Sequence, residues 1–178
     1  MSMMVIKVVL LAFLAVSCID CRETSDLKEF SSNDAGFKIH LPCDPQQTRK
    51  DEYPYKAGKR YGYDFECSFN STKIKLSFGD HNPDSGETTG KFLEYSKGDL
   101  EIALRDANKE RREVTIDGHP GYRYVITYKN GKRLIVYLTA NAKGVFHLTI
   151  GPLLDPDNSK AYEEKFDQVI KTFHFLKQ

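Results

Sequence analysis

The sequence has no surplus of charge of either sign. Lys and Arg total 26 and Asp and Glu total 25 in 178 residues. Phosphate recognition needs a basic excess gathered on one face, so this balance argues against nucleic acid as a partner. The densest charge run, Lys109, Glu110, Arg111, Arg112 and Glu113, is mixed in sign and reads as a solvated surface. There is no H-E-x-x-H, no paired Cys/His spacing, no G-x-S-x-G elbow, no P-loop and no G-x-G-x-x-G. The five histidines, at 40, 81, 119, 147 and 174, are well separated. Asp80-His81 and Asp117-Gly118-His119 come nearest to metal-ligand pairs, and each reads better as a turn. The expectation is a protein that is not an enzyme and uses no cofactor or metal. Low-complexity segments and internal repeats are also lacking. Hydrophobic residues at 40% and charged residues at 29% are ordinary globular values, and the length suits one domain with a real core.

No apolar run reaches the roughly 20 residues of a spanning helix. What stands at the N-terminus is shorter. Lys7 precedes an apolar run from Val8 to Val16, and small residues stand at Ala15 and Ser17, three and one residues before Cys18. Charge, apolar run and small residues in that order describe a signal peptide over residues 1–17. Ala15-Val16-Ser17-Cys18 also resembles a bacterial lipobox, in which Cys18 would be acylated after cleavage. Ala15 departs from the Leu usual there. Removing residues 1–17 takes away Lys7 and no acid, which leaves the remainder without net charge. Residues 18–35 read as a tether and residues 36–178 as a single domain.

Four cysteines are present. Cys18-Ile19-Asp20-Cys21 is a poor redox motif, because it follows the signal run and leads into a polar segment instead of opening a helix after a strand. In an oxidising compartment Cys43 and Cys67 are expected to pair. Their bridge would close a loop of about 25 residues, worth roughly 3–4 kcal/mol on the chain-entropy account.

Periodicity predicts the fold. Phe37, Ile39 and Leu41 alternate and stop at Pro42, which marks a strand. A two-residue turn at Asn70-Ser71 sets Cys67 against Ile74, Phe65 against Leu76, Tyr63 against Phe78 and Glu66 against Lys75. Apolar pairs on one face and charge pairs on the other describe a half-exposed antiparallel hairpin. Asn70-Ser71-Thr72 at its tip is also a sequon, meaningful only where the host glycosylates Asn70. A helical pattern follows over about 91–108, weakened by Gly98. Asn130-Gly131 signals a second hairpin. A two-residue turn there would set Val125 against Val136 and gather Tyr122, Tyr124, Tyr128 and Tyr137 on one face. Either a helix covers that face, with the hydroxyls at its rim, or part of it stays open and meets a partner. Another strand, "GVFHLTI", comes next. Tyr162, Phe166, Val169, Ile170 and Phe173 then line one side of a closing amphipathic helix.

Strands, helix, strands, helix, joined by hairpins, predict an α+β domain: a single antiparallel β-sheet with helices packed on it. Three stretches carry a family resemblance over residues 36–176. "GFKIHLPCDP", "DGHPGYRYVITYKNGKRLIVYLTANAKGVFHLTI" and "FDQVIKTFHFL" resemble the opening strand, the central strands and the closing helix of small exported PsbP/Mog-like domains. The resemblance implies an α/β/α sandwich and a scaffold used mostly to bind other proteins; no ligand or metal residue carries over. The combined expectation is an exported domain, lipid-anchored to a membrane if Cys18 is acylated and otherwise secreted. It would bind a protein or small ligand outside the cytoplasm. The alternatives are a secreted hydrolase with scattered catalytic residues and a structural envelope or surface component.

Overall fold

Alternating apolar side chains interrupted by tight turns favour hairpins, and hairpins dominate the fold. The computed structural model describes residues 27–55, 58–80, 86, 88–153 and 159–177. Among them the chain forms β1 (Lys28–Ser32), β2 (Phe37–Leu41), β3 (Gln46–Tyr55), β4 (Gly58–Phe69), β5 (Thr72–Asp80) and α1 (Thr89–Ala103). It continues through β6 (Asn108–Ile116), β7 (His119–Thr127), β8 (Arg133–Ala140), β9 (Gly144–Leu153), α2 (Ser159–Lys171) and β10 (His174–Phe175).

The expected single sheet with helices packed on it is corrected to two sheets. Seven antiparallel strands take the order β3-β4-β5-β9-β8-β7-β6, and three form a separate sheet, β1-β2-β10. The reason lies in β2. Its Phe37, Ile39 and Leu41 are fully buried, while β1 pairs along one of its edges and β10 along the other. No edge remains for the large sheet, so β2 packs on that sheet face to face. The tether is corrected in the same way, since residues 28–32 of it are strand β1.

One face of the large sheet supplies Phe65, Leu76, Tyr137, Phe146 and Leu148 to a common core with β2 and with Phe166, Val169 and Phe173 of the α2 segment. The opposite face meets α1. Leu93 packs against Leu138, Ala140 and Val145, and Leu100 and Leu104 pack against Tyr124, Ile126 and Val136. These apolar contacts of α1 fall on β7, β8 and β9. Strands β3, β4 and β5 lie to one side of them.

The first hairpin has the predicted register, with Tyr63 opposite Phe78, Phe65 opposite Leu76, Glu66 opposite Lys75 and Cys67 opposite Ile74. Asn70 and Ser71 both have positive φ, 45° and 64°, the backbone of a turn that follows the twist of its strands. The second hairpin differs by one residue. Val125 faces Ile135 and Tyr124 faces Val136. Gly131 N donates to Tyr128 O, Tyr128 N donates to Lys132 O, and Gly131 takes φ 79°. This is the wider turn in which a left-handed glycine inserts one extra residue.

Cys43 and Cys67 are bridged, with Cα atoms 5.9 Å apart. The bridge ties the segment leaving β2 to β4, and so joins the small sheet to the large one.

Candidate functional site

The register of β3, β4, β5 and β9 builds two parallel rows on the α1 side of the large sheet. One row runs Arg49, Asp64, Ser77, His147, and the next runs Asp51, Gly62, Gly79, Val145. The second row has two adjacent glycines at its centre. A Cβ on Gly62 would stand 3.5 Å from the Tyr53 ring and 3.8 Å from Arg49 Nη2, whereas a Cβ on Gly79 would meet nothing within 4 Å. A strand-interior glycine with open space above it marks a place where another group can come close to backbone. The hollow there is about 340 Å³. Its lining includes Arg49, Tyr53, Arg60, Ser77 and His147 from the strands and Phe92 and Ser96 from α1. Helix α1 forms its wall because Thr88 caps the N-terminus beside it, the Thr88 Oγ1 accepting from Lys91 N at 3.4 Å.

The electrostatics of the floor are set by one buried acid. Asp64 is 4% exposed, and its Oδ2 sits 3.1 Å from Arg49 Nε and 3.0 Å from Lys75 Nζ. Asp51 holds the same Arg49 Nε at 3.3 Å. Arg49, with half its side chain exposed, is thus gripped from behind while its Nη2 reaches over Gly62. Burial pushes the His147 imidazole down to about 4, against the weaker opposing pull of Asp64. At neutral pH His147 offers one donor and one acceptor and no charge. A larger hollow, about 460 Å³, lies along Glu113, Thr115, Gly118 and Pro120. It brings no cation or histidine together.

The predicted tyrosine face is corrected. The extra residue at Gly131 turns β8 over relative to β7, and a shift of one residue moves every side chain to the other side. Tyr122 and Tyr124 stay on the α1 side, where their hydroxyls donate to Glu94 and to Glu101 Oε1. Tyr124 is fully buried, and that burial, with Glu101 beside it, pushes its hydroxyl up to about 12. Tyr137 lies in the opposite core and donates to Asp167 of α2. Tyr128 is left exposed at the turn. The four rings therefore form no common binding face; two of them serve as the rim contacts of a covering helix. Asn70 is exposed at its hairpin tip. Cys18, the expected signal peptide over residues 1–17, Cys21 and His81 lie outside the described residues. Among the described residues no helix is long and apolar enough to cross a membrane, and no group of three or more metal-ligating side chains converges.

A second charged cluster holds α2 in place. Arg123, 7% exposed, donates through Nε to Asp167 at 2.8 Å and through Nη2 to Glu163 at 3.1 Å. Arg112 reaches Asp167 at 2.8 Å from the edge strand β6. Burial alone would raise the Asp167 carboxyl, but the Tyr137 hydroxyl, Arg123 and Arg112 together hold it below the usual range. Asp117, bonded to His174 Nδ1 at 2.9 Å and to Phe175 N at 2.8 Å, is lowered despite its burial. A carboxyl lowered in the folded state adds stability above its unfolded value, and that stability is lost as pH falls through the folded one. The melting temperature should therefore drop as pH goes below about 4, and Asp167→Asn should flatten that acid limb. A thermal series in pH checks it. An acid limb unchanged by Asp167→Asn contradicts the assignment.

A large antiparallel sheet with α1 on one face, and α2 with a small sheet on the other, defines a PsbP-like fold, the class its sequence motifs resemble. The solution structure of cyanobacterial PsbP from Synechocystis superposes with a TM-score of 0.50 at 13% identity, covering 84% of this chain and 92% of that one. A Pseudomonas aeruginosa protein of unknown function superposes with a TM-score of 0.41 at 13% identity, over 82% and 94% of the two chains. No protein-family model and no curated protein matches the sequence. Likeness at this identity concerns the fold and carries neither protein's function with it.

Proposed function

We propose that this chain is an exported, non-catalytic binding domain, anchored by lipid where Cys18 is acylated, that holds its ligand on the open half of the α1 side of its large sheet. One observation carries the binding reading: Gly79 leaves bare backbone inside a strand of the large sheet, under empty space walled by α1. The volume suits a small ligand or a single protruding side chain of a protein. The disulfide and the PsbP-like fold are consistent with export.

Chemistry on the polar row supports binding over catalysis. Ser77 stands between Asp64 and His147 in the register. In a Ser-His-Asp triad the histidine stands between serine and acid, an order this row does not have. An imidazole held at about 4 is also a weak general base at neutral pH.

The experiment is affinity capture from native membranes with the wild-type domain and with Gly79→Phe, read by mass spectrometry. The expected result is a ligand or partner retained by the wild type and lost by the variant, with both equally folded. Equal retention contradicts the assigned surface. Intact mass of the membrane fraction tests the anchor, and an unmodified Cys18 or retained residues 1–17 would end that part of the proposal.

A further inference from the structure

We infer that the groove takes a small planar carboxylate, its ring flat on the bare Gly79 backbone beside Tyr53 and its carboxylate on Arg49. This rests on the binding reading and names the ligand class for the same site. Three features point to it. First, the floor is backbone. Gly79 is exposed, with no side chain of its own and nothing above it to keep a flat ring away from the sheet, while its register partner Gly62 is buried under Tyr53 and Arg49. Second, the walls suit a ring edge. Tyr53, 45% exposed, leans over Gly62, and Phe92 of α1 lines the far side. Third, the charge arrangement suits an anion. Asp51 and Asp64 both hold Arg49 by Nε, at 3.3 and 3.1 Å, which orients the guanidinium without a rotamer search, and Nη2 projects over the glycine floor.

Planar guanidinium and planar carboxylate match in geometry, and a guanidinium fixed in advance loses less freedom on binding. Arg60 adds a second cation to the lining. Of the acids around the site, Asp51 is held against Arg49 and Asp80 lines the hollow itself. Asp64 is 4% exposed beneath Arg49 and Lys75. Asp80 accepts from Tyr61 N at 3.0 Å. Glu66, farther along β4, pairs with Lys73 at 2.6 Å. Neutral His147 adds a hydrogen-bonding group that neither repels nor specially attracts an anion. The guanidinium would repel a cation, and a carbohydrate hydroxyl would accept from it without offsetting its charge, so the carboxylate is the occupant these residues favour.

Gly79→Val gives a sharp test, because its side chain fills open space in a strand where Val is at home. The fold should be retained, as circular dichroism and melting will show. The probe is benzoate titrated into the full folded domain and followed by amide NMR shifts, with benzamide as the uncharged isostere. The expected result is saturable millimolar binding with shifts at Gly62, Gly79 and His147. Benzamide should bind at least about tenfold more weakly, Arg49→Gln should weaken benzoate by a similar factor, and Gly79→Val should abolish the shifts. Benzamide binding as tightly as benzoate, or benzoate shifts that persist in Gly79→Val, overturns the inference. So does the absence of any benzoate binding to the wild type, while the capture comparison remains a separate test of the surface itself.

Discussion

Phe37→Ala should lower the free energy of unfolding by about 3–5 kcal/mol, the range for truncating a fully buried phenylalanine. Phe37 has no exposed surface, and its ring meets others from every part of the common core. Ring centroids lie 6.1 Å away at Phe30 of β1, 6.0 Å at Phe65 of β4, 5.0 Å at Phe146 of β9 and 5.7 Å at Phe173 after α2. These neighbours belong to two sheets and a helix end, so they cannot all collapse inward to fill the space. Phe37→Leu, which keeps most of the volume, should cost clearly less. Urea denaturation with an unchanged m-value checks both. A loss under about 1 kcal/mol for Phe37→Ala would contradict the face-to-face packing of the two sheets.

The second large effect belongs to the Cys43–Cys67 bridge. Replacing both cysteines by serine should cost about 3–4 kcal/mol, because the bridge closes a separation of 24 residues in the unfolded chain. Reduction of the wild type should have the same effect within error. The bridge also joins the two sheets, so its loss should show first as faster amide exchange in β1 and β2. A double serine variant as stable as the oxidised wild type would mean that the bridge adds nothing beyond what β2 already gains by packing.

Local turn chemistry decided how much of this was legible in the sequence. Asn70-Ser71 forms the tight turn its residues favour, so the β4–β5 register follows from the sequence, and that register places Gly62 opposite Gly79. The glycine pair was therefore legible there, on the polar face of the hairpin. Asn130-Gly131 carries the stronger turn signal yet adopts the wider turn, and one extra residue moved Tyr137 from the expected tyrosine face into the opposite core. Strands β1 and β6 were hidden for another reason. "KEFSS" and "NKERREVTI" are charged because they are edge strands, where charge discourages pairing with another chain. The mixed-charge run in β6 is largely exposed, as expected of a solvated surface, but its regular structure comes from pairing with β7. Arg49 gave no local signal, since its role depends on Asp64 and Gly62 from the neighbouring strand.

The central claim is that the open half of the α1 side of the large sheet is the binding surface. Amide hydrogen exchange of the folded domain, with and without the material it captures from native membranes, tests this most directly. The account predicts added protection in β3, β4, β5 and the first turns of α1, with little change in β6 and β7. Protection centred on β6 and β7, with β4 and β5 unchanged, would contradict it.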